Sequence, residues 1–447
     1  MTLSALKAAK SCELHVHSAG VLTSDDVLEL CKEDYRDVGW SYFVDSYERA
    51  YGFRPDPIEL VGEALKDRAG AKRFRDHLVY GPEDGGDFGR FGAKASPIYC
   101  VLDHLQNAHD RYAEAQRLCL ERQRREGVAY TEYRCMTEPN IFDRFHLANV
   151  NEIVSASRVG LEAGYIISLR RTNALEDYAA VRTFMDAHPE TIPYVVGLDF
   201  CHVEEGHPPK TLGPFYERLI ADNKAHPDRA LEVVNHVGES FFDKTLESAV
   251  RWCHEAAAMG AVRLGHATAL GLPPAVAIER RPDAHVTELV SERIDQIAYD
   301  LVLGNQLSAY GIAINTKALV AEREDLFKLD PDENLNRPYD DRRLEEVIAR
   351  QRFVLDCLAG LGTVIETCPA SNLLIGGVPG PEHHPIHLFL ASNVNLAICS
   401  DDPGVFATTL ADEVDWVRAH TELSDSELES RLGNPYHFRL GKQRVGP

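Results

Sequence analysis

LEVVNHVGES, residues 231–240, reads as a short buried strand that ends in a histidine and then turns through a glycine. Its apolar core is continuous rather than alternating, the pattern of a strand covered on both faces, as in parallel sheets. Seven other runs are strand candidates, several of them nearly continuous in apolar residues: Cys12–His17, Val128–Arg134, Tyr165–Leu169, Tyr194–Asp199, Val262–His266, Thr363–Thr367 and Asn395–Ser400. Helical patterns such as Leu105–Arg125 and Arg343–Leu361 lie between them. Eight strands with helical crossovers in 447 residues predict an α/β chain folded as a (β/α)8 TIM barrel. Two connections exceed what a crossover needs, so a single barrel over residues 1–447 should carry insertions at about 20–127 and 267–362. The first holds Tyr35, Trp40, Tyr42, Phe43, Tyr47, Tyr51 and Phe53, which suit either a lid over the pocket or a helical layer with its own small core. In the second, LDPDENLNRPYDDRR (329–343) reads as a surface loop. Glu288–Gly304 reads as a helix suited to packing on a second copy in a homo-oligomer.

Composition narrows the function. Lys and Arg number 47 against 70 Asp and Glu, a net charge of −23. A nucleic-acid polymer or an anionic membrane is not the expected partner, because both require clustered basic residues. No apolar run approaches the roughly 18–20 residues of a membrane span, and the N-terminus lacks the apolar stretch of a signal peptide, so a cytoplasmic protein is expected. Ten cysteines without a C-x-x-C pair read as reduced, mostly buried thiols.

The chemistry-bearing residues fall at strand ends. His15 and His17 close the first run, His236 the fifth and His266 the sixth, and Asp401 and Asp402 follow the eighth. In a barrel the C-terminal strand ends share the face that carries catalytic groups. His15 and His17, two apart on a strand, point to one side and can share a metal. His236 and Asp401 would complete a nitrogen and oxygen set suited to one zinc per chain, with a water in the open position. Glu239, past the Gly238 turn, is placed to shuttle protons. His266 is placed as a base or an electrostatic orienter, and Asp401 and Asp402 must diverge, one to the metal and one to the substrate. Taken singly, each has a plainer reading: polar strand ends, a loop glutamate, a satisfied buried histidine, an acidic turn.

Together ELHVH (13–17), VVGLDF (195–200), NHVGE (235–239), RLGHA (263–267), ETCPASN (366–372) and CSDDPGVF (399–406) resemble the adenosine deaminase family of the amidohydrolase superfamily, in that family's order. Leu423, Ser424, Glu427 and Asn434 resemble its last helices. The resemblance implies hydrolytic deamination at the 6-amino group of adenosine or a related aminopurine nucleoside or nucleotide. It implies zinc on His15, His17, His236 and Asp401. Glu239 would protonate the purine ring, His266 would position the attacking water, and Asp402 would anchor purine N7. Gly20, Asp199 and His202 are expected in the substrate-binding wall. Ser371 and Asn372 are also placed near the pocket.

The departures lie at substrate-reading positions. Ala19 stands where the family has a carboxylate that reaches the ribose 5′-hydroxyl, His202 where it has a glycine, and Ala267 where it has another. Either the subfamily has drifted and still takes adenosine, or the substrate differs on the 5′ side, since losing a carboxylate removes repulsion toward a phosphate. His202-Val203-Glu204 imitates the H-x-E of cytidine-type zinc deaminases, but the C-x-x-C those enzymes need is missing. Two further alternatives are another amidohydrolase on a different substrate and a catalytically idle barrel used for binding. The end of the fourth run offers no bridging lysine, which favours one metal. His383 and His387 in HHPIH (383–387) are a weaker candidate metal pair.

Overall fold

A computed structural model describes residues 4–109, 111–158, 160–240, 243–280 and 287–442. Among the described residues there are ten strands: β1 (Cys12–His17), β2 (Tyr130–Cys135), β3 (Glu162–Ser168), β4 (Val195–Phe200), β5 (Glu232–Val237), β6 (Ala261–His266), β7 (Thr287–Leu289), β8 (Asn334–Asn336), β9 (Val364–Thr367) and β10 (Asn395–Ile398). Eight form one parallel sheet in the order β1-β2-β3-β4-β5-β6-β9-β10. These are the eight runs read from the sequence. Every residue of β2, β4 and β9 is buried, as their position under helices on one side and the barrel core on the other requires.

The sheet closes through a parallel bridge between Val16 and Asp401. Asp401 N–H donates to His15 O at 3.0 Å, and His17 N–H donates to Asp401 O at 3.1 Å. The seam therefore sets Asp401 beside both histidines of β1. The opposite end of the barrel is plugged by the C-terminal segment. Leu440 packs with Ile166, Val196 and Val234, and its N–H donates to Glu132 at 2.7 Å.

The first insertion is a set of helices whose aromatic residues pack on each other. Phe43 and Tyr47 are buried, Tyr47 stacks on Tyr51 with ring centroids 4.9 Å apart, and the Tyr47 hydroxyl donates to His77 O at 2.6 Å. These aromatics belong to one apolar cluster with the barrel residues Val16 and Tyr133, while Tyr42 and Phe53 stay exposed.

Two local expectations need correction. The Leu105–Arg125 pattern does not form one helix: it divides between Phe88–His109 and Tyr112–Arg125. The stretch 329–343 is not all loop, because Asn334–Asn336 pairs antiparallel with Thr287–Leu289. The Glu288–Gly304 run holds the expected helix as Val290–Val302, part of whose surface packs within the chain. Arg350 grips its Asp300 through two bonds of 2.6 and 2.7 Å, and its Arg293 pairs with Glu322. Among the described residues no helix is long and apolar enough to cross a membrane, and no cysteine is in a disulfide.

Candidate metal and catalytic site

The five residues His15, His17, His236, His266 and Asp401 meet at the C-terminal end of the barrel. His15 and His236 ring centroids lie 4.6 Å apart and those of His15 and His266 4.9 Å. A side chain on Gly265 would come within 2.8 Å of the His15 ring, so β6 needs glycine there for His15 to lie across it.

Three of the rings are fixed from behind. His15 Nδ1 lies 3.0 Å from Glu366 Oε2, His236 Nδ1 3.1 Å from Asp199 Oδ1, and His266 Nδ1 3.1 Å from Asn372 Oδ1. An acceptor on Nδ1 selects the Nδ1–H tautomer and leaves the Nε2 lone pair free. In front, the ligand atoms converge. Asp401 Oδ1 is 3.4 Å from His15 Nε2 and 3.3 Å from His17 Nε2, and His17 Nε2 is 3.2 Å from His236 Nε2. Ligand atoms about 2.0–2.1 Å from a tetrahedral zinc sit roughly 3.3 Å from each other, so this spacing suits the ion.

His15 Nε2 is buried without a hydrogen-bond partner, and an unpaired lone pair in that place is the mark of a ligand atom. His15, His236, His266 and Asp401 all offer ligand atoms within 4.8 Å of one another. His17 joins them through His236 and Asp401. Sequence reasoning left His266 outside the ligand set; the geometry makes it a neighbour of that set, with Nε2 4.0 Å from Asp401 Oδ2 and 3.7 Å from Glu239 Oε1.

The electrostatics agree with a cation site. Burial pushes His15 and His236 below the ordinary histidine range, so both are neutral imidazoles. Burial works the same way on His17, but the Asp402 and Asp401 carboxylates overcome it and lift His17 to about 9. Those negative charges would equally attract a metal ion. Burial also opposes ionisation of Asp401, yet His15 and His17 hold it well below the carboxylate range. Asp402 goes the other way, to about 7, through burial and the adjacent Asp401 charge. The two aspartates therefore diverge in charge as well as in direction.

Strain marks the same face. His202, His266, Ala267 and Asp401 have φ of 74°, 62°, 48° and 60°, values that residues with a Cβ seldom adopt. Such conformations cost about 1–3 kcal/mol each and collect where a site holds them.

The remaining expected residues are placed as follows. Asp199, read from the sequence as part of the substrate wall, is instead fully buried behind His236, with Oδ1 on that ring. His202 is exposed just beyond β4. Gly20 lies against Asp402, where an added Cβ would fall 1.6 Å from its Oδ1. Gly20→Ala must displace the Asp402 carboxyl; we expect it to raise KM severalfold, with about 1–3 kcal/mol lost from overpacking. Unchanged KM with Asp402 moved would remove Asp402 from substrate binding. His387 Nε2 is 2.7 Å from Pro381 O, a local tie rather than a metal pair with His383. Sequence reasoning missed the supporting residues Glu366, Arg134 and Glu204. For Arg134 and Glu366 the available signal was charge inside strands that the structure buries, Glu132 being a third such residue; Glu204 lies outside the strands.

Comparison with known proteins bears on the C-terminal part. A family model described as adenosine deaminase matches residues 341–434, which include Glu366, Asn372, Asp401 and Asp402. The adenine deaminase of Rhizobium leguminosarum bv. trifolii is 40% identical over 73 residues, 16% of this chain and 23% of that enzyme, so the match spans under a quarter of the curated relative's length. A zinc-bound amidohydrolase structure from Burkholderia ambifaria is 14% identical with a TM-score of 0.56, over 98% of this chain and 89% of that one. An Arabidopsis ADAL structure in complex with IMP is 14% identical with a TM-score of 0.54, over 97% and 93%. At these identities the structural likeness is one of fold. The C-terminal stretch 341–434 is therefore similar in sequence to adenosine deaminases, and the barrel is similar in fold to the solved amidohydrolase and ADAL structures.

Proposed function

We propose that this chain is a zinc-dependent deaminase that replaces the 6-amino group of an aminopurine with oxygen, consuming water and releasing ammonia. The observation that carries this reading is the convergence of His15, His17, His236 and Asp401 with Glu239 and His266 beside them. A zinc ion on those four residues supplies Lewis-acid activation of water at neutral pH. His266 lies beside the ligand set, where it can take a proton from the attacking water. Glu239, lifted to about 7 by burial, is protonated often enough at neutral pH to donate to a ring nitrogen. Asp402, also near 7, can offer a proton to purine N7, which only accepts hydrogen bonds. The amino-bearing carbon then gains oxygen, and the amino group leaves with the protons that these residues relay.

The substrate's 5′ side is the open position, and one feature favours a nucleotide or other 5′-modified purine over adenosine. Ala19 packs with its neighbours on the apolar core and presents no carboxylate to repel a phosphate. The structural neighbour from Arabidopsis is complexed with a nucleotide, IMP. Ammonia release measured with adenine, adenosine, AMP and N6-methyl-AMP, alongside zinc content, tests both levels. We expect one zinc per chain and a higher kcat/KM for a nucleotide than for adenosine. A clear preference for adenosine, lost when its 5′-hydroxyl is methylated, overturns the 5′ reading alone. In the same assay His17→Ala should lose zinc, whereas His266→Ala should keep zinc and lose turnover; the reverse result would exchange their roles.

A further inference from the structure

We infer that Glu204 is the positioning residue that holds Glu239 where it can pass its proton, a role that rests on the deaminase reading above. Glu204 is the acid of the His202-Val203-Glu204 triplet and is only 4% exposed. Its two oxygens accept three consecutive backbone N–H groups of the turn after β5. Gly238 N–H reaches Oε1 at 3.1 Å, while Glu239 N–H at 3.1 Å and Ser240 N–H at 3.3 Å reach Oε2. Successive amides aimed at one point form an anion-binding concavity, and here the chain fills it with its own carboxylate. The turn depends on Gly238, whose φ is 69° and whose added Cβ would meet Cys253 Sγ at 2.5 Å.

Further bonds join the same two loops. Ser240 Oγ donates to Glu205, and Gly206 N–H donates to Asp243 Oδ2 at 2.8 Å. Lys244 Nζ, 3.8 Å from Glu204 Oε1, balances the buried charge. The loop after β4 and the turn after β5 are thus tied together by five hydrogen bonds. Among the described residues the nearest ionic partner of the Glu239 carboxyl is His266 Nε2 at 3.7 Å, beyond hydrogen-bond reach. The position of that carboxyl is therefore inherited from its backbone, and Glu204 fixes the backbone. A displacement of about 1 Å at a reacting group can cost on the order of 10²-fold in rate.

The test combines turnover with amide exchange on the zinc-loaded protein. Glu204→Ala and the volume-preserving Glu204→Gln are compared with the parent, alone and combined with Glu239→Gln. We expect Glu204→Ala to lower kcat on the order of 10–100-fold while KM and zinc content hold within about twofold. Glu204→Gln, which keeps one accepting oxygen, should lose less. In the Glu239→Gln background the added loss should shrink to about twofold or less, because the two residues act through one proton. Amide exchange at Gly238–Ser240 should speed up in both variants, with the β5 strand unchanged. Fully multiplicative losses in the double variant, or unaltered exchange in both single variants, would overturn the assignment. A parent chain that releases no ammonia from any purine refutes the deaminase reading, while the exchange measurement still decides whether Glu204 holds the turn.

Discussion

Replacing Glu239 with glutamine should remove nearly all turnover, a loss on the order of 10²–10⁴-fold, and leave the zinc content unchanged. The amide keeps the shape of the carboxyl but cannot release and recover a proton. Glu239 makes none of the convergent contacts of the ligand set; its recorded neighbour is His266 at 3.7 Å. Metal retention is therefore the discriminating measurement. Burial raises Glu239 to about 7; the Asp401 and Glu204 charges add to this and His266 opposes it. Because the protonated form is the acid, kcat should fall as pH rises through that value, and a bound cation would move the limb lower. The residual activity of Glu239→Gln should lack that limb. Turnover at the parent level would take Glu239 out of the reaction.

The barrel was legible because its strands are short, continuous apolar runs, and because a histidine or aspartate at each informative strand end has nowhere to go but the C-terminal face. His15, His17, His236 and Asp401 were therefore recoverable together although they span residues 15 to 401. What stayed hidden depends on pairing across the barrel. Nothing local in Glu366 announces that it meets His15, 351 residues away, and nothing in Asp199 announces that its oxygen belongs to His236, 37 residues on. Glu204 reads in the sequence as part of a misleading H-x-E, and its contacts with Gly238–Ser240 exist only once β4 and β5 lie side by side. The Leu105–Arg125 periodicity runs across two helices, one ending at His109 and the next beginning at Tyr112, and nothing in its apolar spacing marks the boundary. Asn334–Asn336 was obscured by its Asp- and Pro-rich surroundings; its pairing with Thr287–Leu289 is a tertiary effect rather than a local propensity.

Removing the carboxylate at position 366 should damage the protein more broadly than any loss of a catalytic group. Glu366 is fully buried under the site. One oxygen lies 3.0 Å from His15 Nδ1 and also accepts from Arg134, and the other lies 2.8 Å from Arg263 Nε. Burial alone would raise its pKa, but Arg134 and Arg263, with His15, overcome this and hold it far below the usual carboxylate range. Glu366→Ala leaves both guanidinium groups buried with one partner fewer, and breaking such a pair costs on the order of 3–5 kcal/mol. Arg263 retains Glu132, and Arg134 retains Asp199 at 3.8 Å as an ionic partner and Leu14 O at 3.4 Å. His15 also loses the acceptor that orients it, and loss of such a support typically weakens metal affinity about 10–100-fold. The expected result is a lower thermal midpoint both with and without zinc, together with weaker zinc binding. Glu366→Gln restores volume and one acceptor but no charge, and should fall between Ala and the parent. The pH dependence follows from the lowered folded pKa. The stabilisation is complete above the unfolded value of about 4.3 and is lost as pH falls below it toward the folded value. The stability difference between parent and Glu366→Gln should accordingly shrink on acidification below about pH 4. A difference that stays constant across that range would show that shape, not charge, is what Glu366 contributes.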